Sequence, residues 1–165
     1  PQELAAGRNV MEQCLAVKPG ESVLIVTDPA RLDLADIFET AAGEITDKVE
    51  VVSFTGQTEN AQEPPLEVAA KMKAADVALL VTSLSISHTQ ARKNACASGC
   101  RIASMPGITR EMIIRTLRSD YSKIAALSQK LAEILTQGQT AVMTSPAGTN
   151  IRLGLGNRAG DADTG

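Results

Sequence analysis

The residues best placed for chemistry lie in the stretch Ser85-Ile86-Ser87-His88-Thr89-Gln90-Ala91-Arg92. His88 is the chain's one histidine, and imidazole is the side chain that changes charge near neutral pH. Its place just ahead of an expected helix would let it meet a substrate or a partner domain. Arg92 lies four residues on and shares a helical face with His88 if the helix starts early enough, which would make an anion-binding pair. The plainer readings are a hydrogen-bonded structural histidine and a solvated arginine. Ser85, His88, Thr89 and Arg92 are therefore substrate-cleft candidates, while no catalytic residue and no metal ligand is assigned.

Cys96 and Cys100 stand four apart, downstream of His88, and invite a zinc reading. Structural zinc wants four ligands at knuckle-type spacing, and Gly99 is expected to end a helix between the two thiols. Both are better read as small buried hydrophobes. Asp28, Thr55, Ser83, Ser85 and His88 fall at or just beyond the carboxyl ends of expected strands, the edge along which doubly wound sheets bind ligands. Asp28 is also followed by Pro29, so it reads more simply as a helix N-cap.

Several chemistries lack their motif. The first strand is followed by Thr27-Asp28-Pro29-Ala30-Arg31 rather than a glycine-rich phosphate loop. Neither a Walker lysine nor a G-x-S-x-G nucleophile elbow is present. Lys plus Arg number 16 and Asp plus Glu 19, a net charge of −3, so nothing attracts a phosphate backbone. Aromatic residues are 2% of the chain, too few for the stacking platforms of a single-strand nucleic-acid binder. Three cysteines (Cys14, Cys96 and Cys100) are an odd and sparse set for a secreted disulfide scaffold. No apolar run is long enough for a signal peptide or a membrane helix, so the expectation is a cytoplasmic protein with neither nucleic-acid nor membrane partner.

The elements that must position these residues follow a strand–helix rhythm. Residues 2 to 17 carry helical apolar spacing, closed by Lys18-Pro19-Gly20. Ser22 to Asp28 is a continuous aliphatic run, as a strand buried on both faces would be. A helix through Leu32 to Ala42 follows, then a strand over Val49–Thr55, a polar loop, and a short helix after Pro64-Pro65. Val77–Thr82 is the third strand, Thr89–Ser98 the next helix and Arg101–Met105 a fourth short strand. This alternation predicts an α/β fold: a doubly wound, Rossmann-like parallel sheet flanked by helices.

After Gly107 the pattern changes. Thr109 and Asp120 open helices, Gly138 ends the second, and 140–155 reads as a β-hairpin. A lone hairpin is marginal without something to pack on. The expected organisation is a Rossmann-like domain over residues 1–138 and the start of a truncated second domain over 139–165.

Five segments in order resemble the M29 family of metallo-aminopeptidases, the aminopeptidase T and leucyl-aminopeptidase relatives. They are Val17–Asp28, Ala74–Val77, Ser87–Arg92, Ala103–Met112 and Thr144–Thr149. The resemblance implies a two-domain hydrolase that removes N-terminal residues from peptides, using two divalent ions (zinc, cobalt or manganese). It implies that the metal ligands lie in a C-terminal half beyond this chain, so no cofactor is expected here. Expected partners are the peptide substrate, that catalytic half and a second copy in a homodimer. An exposed apolar surface is expected where the catalytic half would dock. Two alternatives stay open: a domain of the related iron-dependent dioxygenases that open hydroxypyridine rings, and a stand-alone module binding a small ligand.

Overall fold

Two strands, β1 (Val23–Thr27) and β3 (Val77–Val81), are buried along their whole length, and the first unit is built around them. The sequences Val-Leu-Ile-Val-Thr and Val-Ala-Leu-Leu-Val have no polar alternation because both faces of each strand are covered. The computed structural model describes residues 2–164. In it β2 (Val49–Ser53) pairs with β1, and β4 (Arg101–Ser104) with β3, all parallel, in the order β2-β1-β3-β4. The chain reverses its winding direction between β1 and β3, so the topological switch lies between the two most buried strands.

Side chains alternate across the sheet and feed two separate cores. Val23, Ile25, Val77, Leu79 and Val81 point into one, which they share with Ala6, Met11, Phe38, Ala41 and Ile113. That face is covered by α1 (Gln2–Asn9), which continues as a π-helical turn over Val10–Cys14, by α2 (Leu32–Gly43) and by α5 (Arg110–Thr116). Leu24, Val26, Ala78 and Leu80 point the other way, against Val68, Met72 and Ala95. There the cover is α3 (Leu66–Ala74) and α4 (Gln90–Ala97). Helices thus lie on both faces of a parallel sheet, the doubly wound Rossmann-like arrangement expected.

Each strand carries the residues expected of it, trimmed by one or two at the ends. One local expectation fails: Asp28 does not cap α2. That helix begins at Leu32, with Arg31 at its N-cap and no side-chain cap. Asp28 instead closes a turn, its Oδ1 accepting from the Ala30 N–H at 3.0 Å while Arg31 N–H reaches the Asp28 carbonyl. Elsewhere the caps are as read: Thr109 accepts from Met112 N–H and Asp120 from Lys123 N–H.

The chain divides into two compact units, Pro1–Arg118 and Ser119–Gly165. The second contains α6 (Tyr121–Gln137) and an antiparallel hairpin of β5 (Thr140–Thr144) and β6 (Asn150–Gly154). The division therefore falls on the amino side of α6, while the change from helix to strand falls on its carboxyl side at Gly138. No described residue of the second unit is buried. Leu127, Leu131 and Ile134 on α6 and Met143, Ile151 and Leu153 on the hairpin are exposed.

Candidate functional site

The carboxyl ends of β1 and β3 are joined through side chains. Asp28, just after β1, accepts from the Ser83 N–H at 2.5 Å and from the Ser83 hydroxyl at 3.1 Å. Beneath them the buried Thr27 hydroxyl donates to Val81 O at 2.8 Å, and Thr82 donates to Leu84 O at 2.6 Å. A cavity of about 270 Å³ opens over this edge, lined by Asp28, Pro29, Phe54, Thr55, Gln57 and Ser83 among others. Of the five strand-end residues, Asp28, Thr55 and Ser83 line this cavity, and Ser85 and His88 are not among its lining residues.

Beyond Ser83 the loop into α4 is held by a chain of hydroxyls. Ser85 Oγ donates to Ser87 Oγ at 3.0 Å, and Ser87 Oγ to Ser104 Oγ, at the end of β4, at 2.8 Å. Thr89 is 1% exposed. Its hydroxyl donates to Ile86 O at 2.7 Å and accepts from Arg92 N–H at 3.2 Å, as the N-cap of α4. Arg92 is half-buried, with Nε donating to Ser87 O at 2.6 Å. His88 is exposed, and it precedes the N-cap rather than lying on the helix. Of the four candidates, Ser85, Thr89 and Arg92 thus make bonds that shape the loop. His88 is the one with its side chain turned to solvent.

Spacing could not have revealed what the β2–α3 loop does. Asn60 Oδ1 accepts from Ser85 N–H at 2.8 Å, and Ala61 N–H donates to Ser85 O at 2.7 Å. Glu63 holds the first two N–H groups of α4, those of Gln90 at 2.5 Å and Ala91 at 3.0 Å. A carboxylate there satisfies orphan donors and faces the positive end of the helix. These partners are 24 to 28 residues apart in the chain, and no local pattern links them. Gln57 was also missed: among the described residues its Nε2 and Oε1 are buried without any hydrogen-bond partner.

For a metal the residues do not fit. Among the described residues no group of three or more His, Cys, Asp or Glu is gathered. Cys100 is buried, and burial pushes its thiol up to about 11, whereas Cys96 is exposed. The expectation of two buried cysteines therefore holds for Cys100 alone. Gly99, at φ +101°, follows the end of α4 as expected.

A family model described as NicX: 2,5-dihydroxypyridine 5,6-dioxygenase matches residues 3–165. The chain belongs to the 2,5-dihydroxypyridine 5,6-dioxygenase family. This overturns the expected aminopeptidase: the family is one of oxidoreductases, not hydrolases, and the ring-opening alternative is the better supported reading. Among solved structures the dioxygenase-family chain is similar to the 2,5-dihydroxypyridine dioxygenase of Pseudomonas putida KT2440. The identity is 18% and the TM-score 0.66, over 93% of this chain and 47% of that one. It is also similar to the wild-type AmpT of Thermus thermophilus, with 14% identity and a TM-score of 0.51, over 92% and 53% of the two chains. At such identities both likenesses show the fold alone, so the second gives the M29 resemblance no more than a shared architecture. The chain spans about half the length of the structures it matches. Comparison with curated proteins finds no match. No helix among the described residues is long and apolar enough to cross a membrane.

Proposed function

We propose that this chain forms one wall of the substrate cleft in an enzyme that opens a dihydroxylated pyridine ring with molecular oxygen. The observation that carries the reading is the family match across residues 3–165. The wall is the carboxyl edge of the sheet, where the switch between β1 and β3 leaves a crevice. There Ser85 and Arg92 hold the loop that carries His88 outward, and Thr89 fixes the start of α4 beside it.

Iron is the metal this chemistry calls for, and among the described residues no group of three or more His, Cys, Asp or Glu is gathered to hold it. The chain's contribution is to bind and orient the ring and to exclude water from one side. The ligands would come from polypeptide outside the described residues, and a homodimer and a cytoplasmic setting belong to the same proposal.

Protein expressed from the complete open reading frame, supplied with ferrous iron, should consume 2,5-dihydroxypyridine and oxygen together. Stoichiometric oxygen uptake supports the reading, whereas hydrolysis of leucine-p-nitroanilide in its place would sink it. His88→Ala should raise KM severalfold without loss of fold. Unchanged kinetics in that variant would remove the His88 loop from the cleft.

A further inference from the structure

The loop that carries His88 is clamped at both ends by one short stretch of a different crossover. At its start Ser85 has both backbone groups taken: its N–H donates to Asn60 Oδ1 at 2.8 Å, and its carbonyl accepts from Ala61 N–H at 2.7 Å. At its finish the Glu63 carboxylate accepts from Gln90 N–H at 2.5 Å and from Ala91 N–H at 3.0 Å. His88 lies between the two clamps and is exposed.

The clamping stretch is itself braced. Gln62 Oε1 accepts from Thr58 N–H at 2.8 Å and Gln62 Nε2 donates to Gly56 O at 3.0 Å, which closes the β2–α3 loop on itself. Ala61 takes φ +64°, a left-handed conformation that a residue with a side chain keeps only where its surroundings enforce it. Pro64, which is buried, steers Glu63 away from helical backbone. A helix end at the surface can give its first N–H groups to water, and Thr89 already caps α4 by accepting from Arg92 N–H. A carboxylate from another crossover therefore adds something the cap does not: a fixed relation between the two loops.

We propose that Glu63 is a positioning residue for the substrate cleft, acting through His88. By binding the first two N–H groups of α4, while Asn60 and Ala61 hold Ser85, it fixes the turn that carries His88. A carboxylate suits the task, because its two oxygens engage two neighbouring N–H groups at the positive end of the helix. The assignment deepens the ring-opening reading and rests on it, since there the His88 loop faces the substrate.

The test combines amide hydrogen exchange with kinetics, both on the complete protein. Glu63 is exposed, so its replacement leaves the core intact. In Glu63→Ala, exchange at Ser87 and Thr89 should quicken severalfold, although their N–H groups bond Ser85 Oγ and Ile86 O inside the loop and not Glu63. Quickening confined to Gln90 and Ala91 reduces Glu63 to a helix cap and overturns the proposal. With 2,5-dihydroxypyridine and ferrous iron the same variant should raise KM severalfold. The double variant His88→Ala/Glu63→Ala should be no worse than His88→Ala alone, as residues that act as a unit behave. Glu63→Gln keeps one acceptor oxygen and should recover much of the loss. A lower melting temperature with unchanged KM, or effects that add in the double variant, overturns the assignment while wild-type ring opening stands. If the wild type opens no ring, the enzyme reading fails and the cleft role of Glu63 falls with it.

Discussion

Asp28 and Ser83 tie the carboxyl ends of β1 and β3 together much as Ser22 and Asp76 tie their amino ends. At the far end Asp76 Oδ2 accepts from both the N–H and the hydroxyl of Ser22 at 2.8 Å, and Ser22 Oγ accepts from Asp76 N–H at 3.0 Å. The two central strands are thus registered by a serine–aspartate pair at each end, with the roles of the strands exchanged. Because the crevice opens at one of these ends, the Asp28–Ser83 pair couples the stability of the sheet to the shape of the candidate site.

Asp28→Ala should therefore destabilise the first unit. It leaves the N–H of Ser83 and of Ala30 without their acceptor, at a cost of about 1–3 kcal/mol. Asp28→Asn keeps one acceptor oxygen and should lose less. Urea unfolding followed by circular dichroism measures both; equal stability of Asp28→Ala and wild type would show that the pair contributes nothing.

The other pair predicts a pH dependence. The Ser22 backbone N–H, then the Ser22 hydroxyl, hold the Asp76 carboxyl below its ordinary 3.8. A carboxylate whose folded pKa is depressed contributes stability that is present above its unfolded value and is lost as pH falls through the folded value. The difference in melting temperature between wild type and Asp76→Ala should thus be full at neutral pH and should shrink once the pH drops below the ordinary carboxylate range. A gap that stays constant on acidification would mean that charge has no part in it.

The two cysteines of the α4 region should differ in reactivity. The thiolate is the nucleophile, and burial with a thiol pushed up to about 11 keeps Cys100 protonated at pH 8, whereas Cys96 is exposed. Iodoacetamide should label Cys96 first in the native protein, with Cys100 reacting only after denaturation. Mass spectrometry showing both labelled at the same rate would contradict the burial of Cys100.

Gly7 lies where α1 packs against α2. A Cβ there would lie 3.1 Å from the Ala41 Cβ and 3.2 Å from the Ile37 carbonyl oxygen. Gly7→Val should push the helices apart and cost about 1–3 kcal/mol, the usual penalty of overpacking. A melting temperature at or above wild type would show that α1 can shift freely.

Much of the fold was legible along the chain because its causes are local. Val23–Thr27 and Val77–Val81 read as buried strands since no polar residue interrupts them, and a parallel sheet with helices on both faces follows from their alternation with helices. Caps such as Thr109 and Asp120 were readable for the same reason, each bonding three residues ahead. Asp28 was misread because the same local signature, Asp before Pro, fits a helix cap, while the competing partner is 55 residues away at Ser83. The aminopeptidase expectation rested on five short segments, none of which holds a residue that does the chemistry, and the family match over residues 3–165 overturns it.

By itself, then, the sequence determined the element order, the two-sided burial of β1 and β3 and the hairpin of the second unit, all of which depend on hydrophobic period and turn residues. The tertiary structure decided the strand order, the pairing of Asp28 with Ser83, the holding of the first N–H groups of α4 by Glu63 and the burial of the Gln57 amide. These join residues from different crossovers, and which crossovers meet depends on how two helical layers fill the faces of one sheet, a collective packing outcome with no local signature.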